Sequence, residues 1–408
     1  MFVSLFRSFA AANPVKTAVV CHGQSISYGE MDAEVRRVSK YLALMGVSRG
    51  TRVIIALPNS ITYLVLYHAL ADTGAVIMPL PRDLILEAIT DCLGGSEPDF
   101  CLVAGELALP YQQVCAGLGR GLVVSDSTRP FSLAEMAQRN PACITPMPRL
   151  SPDDPLMVHH HWHGVTRGAG HWYDTVQSHR NHIQRLLSWS RTAQLTAEDS
   201  TLCIDPLCNF LAAESLALPA LACGQTLYLM DERRATPEAV TDLISGEKIT
   251  LFGAGEAFYR RLLDAPLPRC RGLQSLRITL CDTGSLSEDL TPAFIRRFGV
   301  PLNYTYSLPE TALALVNLKP GDGNEQIPIG SPLHGVESAV HGFGPVAEGV
   351  GELWLRAESI AATSISGQRF CDGQGWLPTG ALVRRQGGCF YLLGQYAPQG
   401  LHRHQFRA

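Results

Sequence analysis

The sequence predicts an α/β protein: two parallel-sheet α/β subdomains followed by a small β-rich one. Three observations carry this. Short apolar runs alternate with amphipathic helical repeats between residues 26 and 80, and the same alternation returns between 202 and 280. From about residue 330 the texture changes to Gly, Pro and short alternating runs bounded by turn signals. At 408 residues with 46% hydrophobic content, the chain can bury a large core and exceeds one small domain. The expected divisions are 1–190, 191–328 and 329–408.

The elements follow in order. The first twelve residues are interrupted by Ser4, Arg7 and Ser8, which suits an amphipathic helix better than a signal peptide. Ser27 followed by Glu30 opens a helix with Met31, Val35, Val38, Leu42 and Met45 at helical spacing, bracketed by Gly46 and Gly50. Val53 to Leu57 is a short apolar run stopped by Pro58-Asn59, as a buried strand would be. A helix marked by Ile61, Leu64, Val65 and His68 leads to a second buried strand over 74–80. These βαβ units imply a mostly parallel sheet covered by helices. In the middle, Leu202 to Ile204 begins the second series, with an apolar helix up to Cys223 and a strand over 226–230. Thr236-Pro237-Glu238 is a helix start: a capping hydroxyl, Pro in the first turn, then an acid. Strands over 249–252 and 276–280 flank a helix carrying Phe258, Leu262 and Leu263. Glu352 to Arg356 and Cys389 to Leu393 are the strands of the β-rich part.

Composition excludes several function classes. The net charge of −4 argues neither for nor against a partner, but no basic block suggests a nucleic-acid surface and no acidic tail is present, so no nucleic-acid partner is expected. No apolar stretch is long enough to span a bilayer, so no membrane partner is expected. Twelve scattered Cys without a Cys-x-x-Cys pair suit buried thiols in the cytoplasm. Lysine is scarce: Lys16, Lys40, Lys248 and Lys319 are the only four. Arg replaces Lys poorly where a point charge must enter a tight phosphate loop.

Two segments carry the functional signal. One is Tyr306-Ser307-Leu308-Pro309-Glu310-Thr311 and the other Trp376-Leu377-Pro378-Thr379-Gly380-Ala381. Others line up with them: Ile26 to Met31, Leu57 to Ser60, Gly74 to Leu80, Pro206-Leu207-Cys208-Asn209, Ile329 to Val336, and Gly351-Glu352-Leu353. In this order and register they resemble the AMP-forming adenylating enzymes, the superfamily of acyl-CoA synthetases, luciferases and peptide-synthetase adenylation domains. The resemblance covers nearly the whole chain and implies the large N-terminal region of that fold. The family's small C-terminal domain, which carries a catalytic Lys, is expected to be absent, since Gly394-Gln395-Tyr396-Ala397 stands where a hinge Gly-Arg-x-Asp would be.

The resemblance also assigns residues. Glu310 matches the magnesium-linked Glu, Tyr306 the aromatic beside adenine, and Thr379 a motif Thr; Ser307 replaces a Gly, Pro309 a Thr and Ala381 the Asp that holds the ribose. Gly284, after a strand end, joins the nucleotide set. The phosphate loop falls by position on 165–174, between Asp154 and Ser178-His179-Arg180-Asn181. Thr166, Gly168 and Gly170 survive in it, whereas Tyr173 and Asp174 occupy the Lys-Gly end, and an acid there repels a triphosphate. These residues fit a rebuilt anion site or a relaxed surface loop, and the substitutions favour the loop. Thr166 and Glu310 are the expected catalytic residues; Gly168, Gly170, Gly284, Tyr306, Ser307 and Thr379 the expected nucleotide contacts.

Seven of the thirteen His fall between 159 and 182. His159, His160, His161 and His163 with His171 present zinc-type ligands. Neighbouring His on a strand point to opposite faces, which is poor chelate geometry, so no metal is expected. The first functional reading is a degenerate adenylating-enzyme homologue in a biosynthetic assembly. The second is an active acyl- or aryl-adenylate-forming ligase that uses ATP with magnesium and is completed by a separate C-terminal domain. Its partners are a small carboxylic acid and CoA or a carrier protein. A His-cluster metal-binding protein is a minor third.

Overall fold

The computed structural model describes residues 2–84, 86–93, 97–104, 122–124, 148–163, 171–267, 273–282, 289–318, 328–342 and 349–395. Three sheets organise these residues. The first has six strands: β3 (Arg52–Ala56), β4 (Val76–Pro79), β5 (Phe100–Ala104), β6 (Leu122–Val124), β7 (Pro155–His163) and β8 (His171–Ser178). Their spatial order is β6-β5-β3-β4-β7-β8, parallel throughout except for the antiparallel β7–β8 hairpin at the edge.

The second sheet has nine strands. Its parallel centre is β13 (Asn303–Leu308), β12 (Ile278–Asp282), β11 (Leu251–Gly255), β9 (Ser200–Cys203), β10 (Thr226–Leu229) and β1 (Thr17–Cys21). Antiparallel strands β14 (Ala312–Val316) and β15 (Ser331–Pro332) extend one end, and β2 (Gln24–Ser27) the other. The N-terminal hairpin β1–β2 thus belongs to this sheet, with Val19 paired to Leu227. The third sheet is antiparallel, in the order β16 (Glu337–His341), β17 (Val350–Arg356), β18 (Leu377–Gln386), β19 (Cys389–Gln395). The expected mixed α/β architecture is the one observed.

Local chemistry explains the helices. Helix α1 (Val3–Ala12) buries Val3, Phe6 and Ala10. Helix α2 (Tyr28–Leu44) starts at a capping box: the Ser27 hydroxyl accepts from the Glu30 N–H and the Glu30 carboxylate accepts from the Ser27 N–H. It buries the stripe Met31, Val35, Val38 and Leu42. Helix α3 (Ile61–Thr73) is apolar all round and buried, capped by Ser60 and ended by Gly74 in the left-handed region. Next come α4 (Leu86–Leu93) and α5 (His179–Thr192), the latter capped by Ser178. A π-helix over Leu211–Ala217 runs into α6 (Leu218–Ala222), where the sequence pattern implied one apolar helix. Helices α7 (Pro237–Gly246), α8 (Glu256–Asp264) and α9 (Leu290–Phe298) complete the second layer, α7 being capped by Thr236. Among the described residues, no helix is long and apolar enough to cross a membrane.

Asn59 pins the first sheet to the second. Its amide donates to the carbonyls of Asp205 (2.9 Å) and Met230 (3.1 Å), and its oxygen accepts from the Leu207 N–H (2.9 Å). The short Leu57-Pro58-Asn59-Ser60 segment therefore both ends a strand and fixes the position of the second series of elements.

Candidate functional site

The two motif segments meet between the second and third sheets. Strand β13 delivers Tyr306, and a tight turn over 309–311 leads into β14. Tyr306 packs against the third sheet's hydrophobic cluster and hydrogen-bonds Thr379. Burial pushes its phenol well above the usual range, with the Thr379 bond acting in the opposite direction. Glu310 is 9% exposed, and its backbone carbonyl accepts from the Ala361 N–H at 2.7 Å. Ala312, directly after this turn, has φ +50°, a strained backbone for a residue with a Cβ and one that concentrates near functional positions.

Strand β18 delivers the second motif. The Thr379 hydroxyl donates to the Leu353 carbonyl (2.7 Å) and accepts from the Ala381 N–H (3.1 Å). Gly380 N–H donates to Glu352, whose other oxygen accepts from the Trp354 indole N–H. Ala381 is 2% exposed and sits in the cluster with Leu353, Val383 and Phe390. Its methyl group is part of a hydrophobic core.

The β7–β8 hairpin closes one side. Thr175 Oγ1 (3.3 Å) and Gln177 Nε2 (3.4 Å) both donate to the Pro309 carbonyl. Strand alternation puts Tyr173 on this same face, where the Glu310 charge reinforces the upward push of burial on its phenol. Asp174 faces the other way and accepts from the Ile365 N–H. Asp174 thus points away from the Glu310 turn, and burial raises its carboxyl. Tyr173 and Asp174 are strand residues, where a relaxed loop was expected. Thr166, Gly168 and Gly170 lie outside the described residues, as does Gly284.

A stack of rings joins the hairpin to the Pro206–Asn209 motif. His159 lies on Phe210 with centroids 4.1 Å apart and 19° between planes, His161 follows at 4.4 Å from His159, and Tyr173 lies 5.3 Å beyond His161. His159 Nε2 is 2.7 Å from the Cys208 carbonyl oxygen, and His159 Nδ1 is 3.2 Å from His161 Nε2. Burial lowers His159 to about 4 and drives His161 well below the usual imidazole value, so both rings are neutral at ordinary pH.

Two acidic features escaped the sequence. Asp205, beyond the end of β9, and Asp282, at the end of β12, line the carboxyl edge of the parallel strands, the edge where open α/β sheets bind ligands. Asp282 is in register with Gly255 and Thr305 on the flanking strands, and the Gly255 N–H donates to Asp205 at 3.1 Å. Burial lifts Asp205 to about 6, against the Gly255 bond and with help from the Asp282 charge. The second feature is an ion network around Glu214, in the π-helix that follows the Pro206–Asn209 motif. Glu214 lies 2.8 Å from His182 Nε2 and accepts from Arg185 Nη1 at 2.9 Å, with Glu214 and Arg185 only 1% and 0% exposed. Burial alone would raise Glu214, but the charges of His182 and Arg185 outweigh it and hold the carboxyl at about 2. One acid in an apolar run from Leu211 to Leu221 was the signal for this pair, since a buried charge needs a partner.

The fold and these motif positions define an adenylate-binding architecture. The sequence model of the AMP-binding enzyme family matches residues 6–160 and 175–363, and the chain belongs to that family. Among known proteins it is similar to the crotonobetaine/carnitine–CoA ligase of Escherichia coli O127:H6 (strain E2348/69 / EPEC), with 24% identity over 406 residues, 93% of this chain and 76% of that protein. The enzyme of the same name from Salmonella agona (strain SL483) is also 24% identical. Two solved structures share the fold. ATP-bound MatB from Rhodopseudomonas palustris has a TM-score of 0.84 at 20% identity, over 97% of this chain and 79% of that one. The N-terminal domain of FACL13 from Mycobacterium tuberculosis has a TM-score of 0.81 at 20% identity, over 96% and 99%.

Proposed function

We propose that this protein is a degenerate member of the adenylate-forming ligases, with weak or no adenylation activity of its own, that serves a biosynthetic pathway in the cytoplasm as a binding component. The observation that carries this reading is Ala381, a buried methyl group in the hydrophobic cluster of the third sheet, at the position of the ribose-binding Asp. Two further features support it. Pro309 has no hydroxyl or N–H to offer a phosphate, and its carbonyl already accepts from Thr175 and Gln177. Tyr173 stands at the position of the loop Lys, near enough to Glu310 for its charge to act on the phenol. These residues do not fit ATP at the ribose and phosphate contacts. Each lost charge-assisted contact costs on the order of 1.5–3 kcal/mol, so three lower affinity by several orders of magnitude.

Calorimetry with ATP and magnesium, together with ATP–pyrophosphate exchange over a panel of fatty, aryl and amino acids, tests the proposal. The expected result is no saturable ATP binding below millimolar concentration and no acid-dependent exchange. Robust exchange by the chain alone would overturn it. A second reading, an active ligase completed by a separate C-terminal domain, draws support from the bonded pair Tyr306–Thr379 and the retained, buried Glu310. On that reading the substrate is a small carboxylic acid, the acceptor is CoA or a carrier protein, and ATP with magnesium is used. The relatives named as CoA ligases point the same way.

A further inference from the structure

Helix α5 and two turns of the β-rich part enclose a cavity of about 210 Å³ that the proposed function does not use. Helix α5 contributes Gln184, Leu187 and Arg191, which share one helix face because they are spaced i, i+3 and i+7. The turn after β15 contributes His334, and the turn after β17 contributes Glu358 and Ser359.

Hydrogen bonds from α5 hold the backbone of both turns. The Ser188 hydroxyl donates to the His334 carbonyl, and Thr192 Oγ1 accepts from the His334 N–H at 2.8 Å. Asn181 Nδ2 donates to the Glu358 carbonyl at 2.7 Å, and Arg185 Nη2 to the Ser359 carbonyl at 3.1 Å. The cavity is therefore framed in advance of any ligand, which lowers the cost of binding one. The side chains that line it are left over. Among the described residues, those of Gln184, Arg191 and His334 make no hydrogen bond or ion pair. Ser359 is only 5% exposed, and its hydroxyl has no partner either. A buried hydroxyl ordinarily finds one. The Glu358 charge reaches Arg180, but that guanidinium is bonded to both oxygens of Asp153.

A cation and a carboxylate thus line one small cavity without bonding each other. A simple anion entering it would meet Glu358, and a simple cation would meet Arg191. A molecule with both charges can meet each with the opposite sign. The volume lies below the roughly 300–1,000 Å³ of sites for drug-sized ligands, so the molecule must be small. We propose that this cavity binds a small zwitterion of amino-acid size, with its carboxylate on Arg191 and its ammonium on Glu358. Gln184, His334 and the Ser359 hydroxyl offer it neutral hydrogen bonds, and Leu187 an apolar wall. The site lies apart from the two motif segments, and the proposal holds whether or not the chain binds ATP.

The test uses the full chain and calorimetry with glycine, L-alanine and 4-aminobutyrate, each carried to tens of millimolar. Acetate and methylammonium, which carry one charge each, are titrated alongside. The expected result is saturable one-site binding of at least one zwitterion, with both single-charge probes weaker by about tenfold or more. Arg191→Gln and Glu358→Gln should each weaken that binding by about ten- to a hundredfold, the loss of one charge-assisted contact. Lys40→Gln, on the exposed side of α2, should leave it unchanged. The bound zwitterion should also raise the melting temperature of the parent, and of neither cavity variant at the same concentration. Circular dichroism of each variant separates lost binding from lost folding. Absence of saturable binding by all three zwitterions would overturn the proposal. So would acetate or methylammonium binding as tightly as the zwitterion, or binding that survives both Gln substitutions in folded protein.

Discussion

The Arg185–Glu214–His182 network offers a direct perturbation with a size that can be worked out. Glu214 sits in the π-helix after the Pro206–Asn209 motif, and His182 and Arg185 sit on the helix that follows the β7–β8 hairpin. The network therefore ties the two flanks of the candidate site together. The Glu214 carboxyl is held at about 2 against an ordinary 4.5, a difference of 2.5 pKa units, equivalent to roughly 3 kcal/mol in favour of the ionised form. Removing one partner of a buried pair costs about 3–5 kcal/mol by a separate line of reasoning, because the other charge is left in the core. In Glu214→Gln, Arg185 keeps the Ser359 carbonyl, at 3.1 Å, and at best a neutral amide oxygen in place of the carboxylate. Glu214→Gln, which preserves shape, should thus lower unfolding free energy by about 3 kcal/mol, read from urea midpoints by tryptophan fluorescence. Arg185→Met with Glu214→Leu should recover most of the loss, since neither charge is then buried. The sign with pH follows: a depressed carboxyl stabilises fully above its unfolded value, and this contribution disappears as pH falls from about 4.5 towards 2. A Glu214→Gln protein within about 0.5 kcal/mol of the parent, or a double variant no better than the single, would refute the reasoning.

Asp205 should act in the opposite direction: its folded value is lifted to about 6 from 3.8, so ionising it opposes folding. The stability advantage of Asp205→Asn over the parent should grow as pH rises from about 4 to 6, reaching at most about 3 kcal/mol, and then level off; a pH-independent difference would count against this. Ala381→Asp should lower stability by several kcal/mol because the carboxylate enters the cluster of Leu353 and Val383, as thermal melts will show. Ala381→Asp combined with Pro309→Thr should raise nucleotide affinity before any rate of exchange, because those groups bind and orient rather than transfer protons; calorimetry beside exchange kinetics separates the two.

Local order was legible where one residue decides it. Ser27 with Glu30, Ser60, and Thr236 with Pro237 each start a helix through a hydroxyl that meets an unpaired N–H, and each does so within a turn of sequence. Pairing between distant strands was not legible. Nothing in Thr17 to Ser27 tells it to join β10 rather than the nearer β3, because both are short, apolar and parallel-competent. The site divides along the same line. Tyr306 and Thr379 could be named from motifs and are found bonded to each other. The replacements had no such guide. A motif says which side chain is missing at 309, 381 or 173, but the fate of the freed space is set by neighbours. At 381 the hydrophobic cluster takes it, at 309 two donors from β8 take the carbonyl, and at 173 an aromatic ring continues the His159–His161 stack. Each replacement packs with its own neighbours, so the sheet geometry is kept while the polar contacts change. A fold held by parallel strands and buried helices places no energetic requirement on a ribose carboxylate. For that reason the α/β frame can persist through motif changes that alter what it binds.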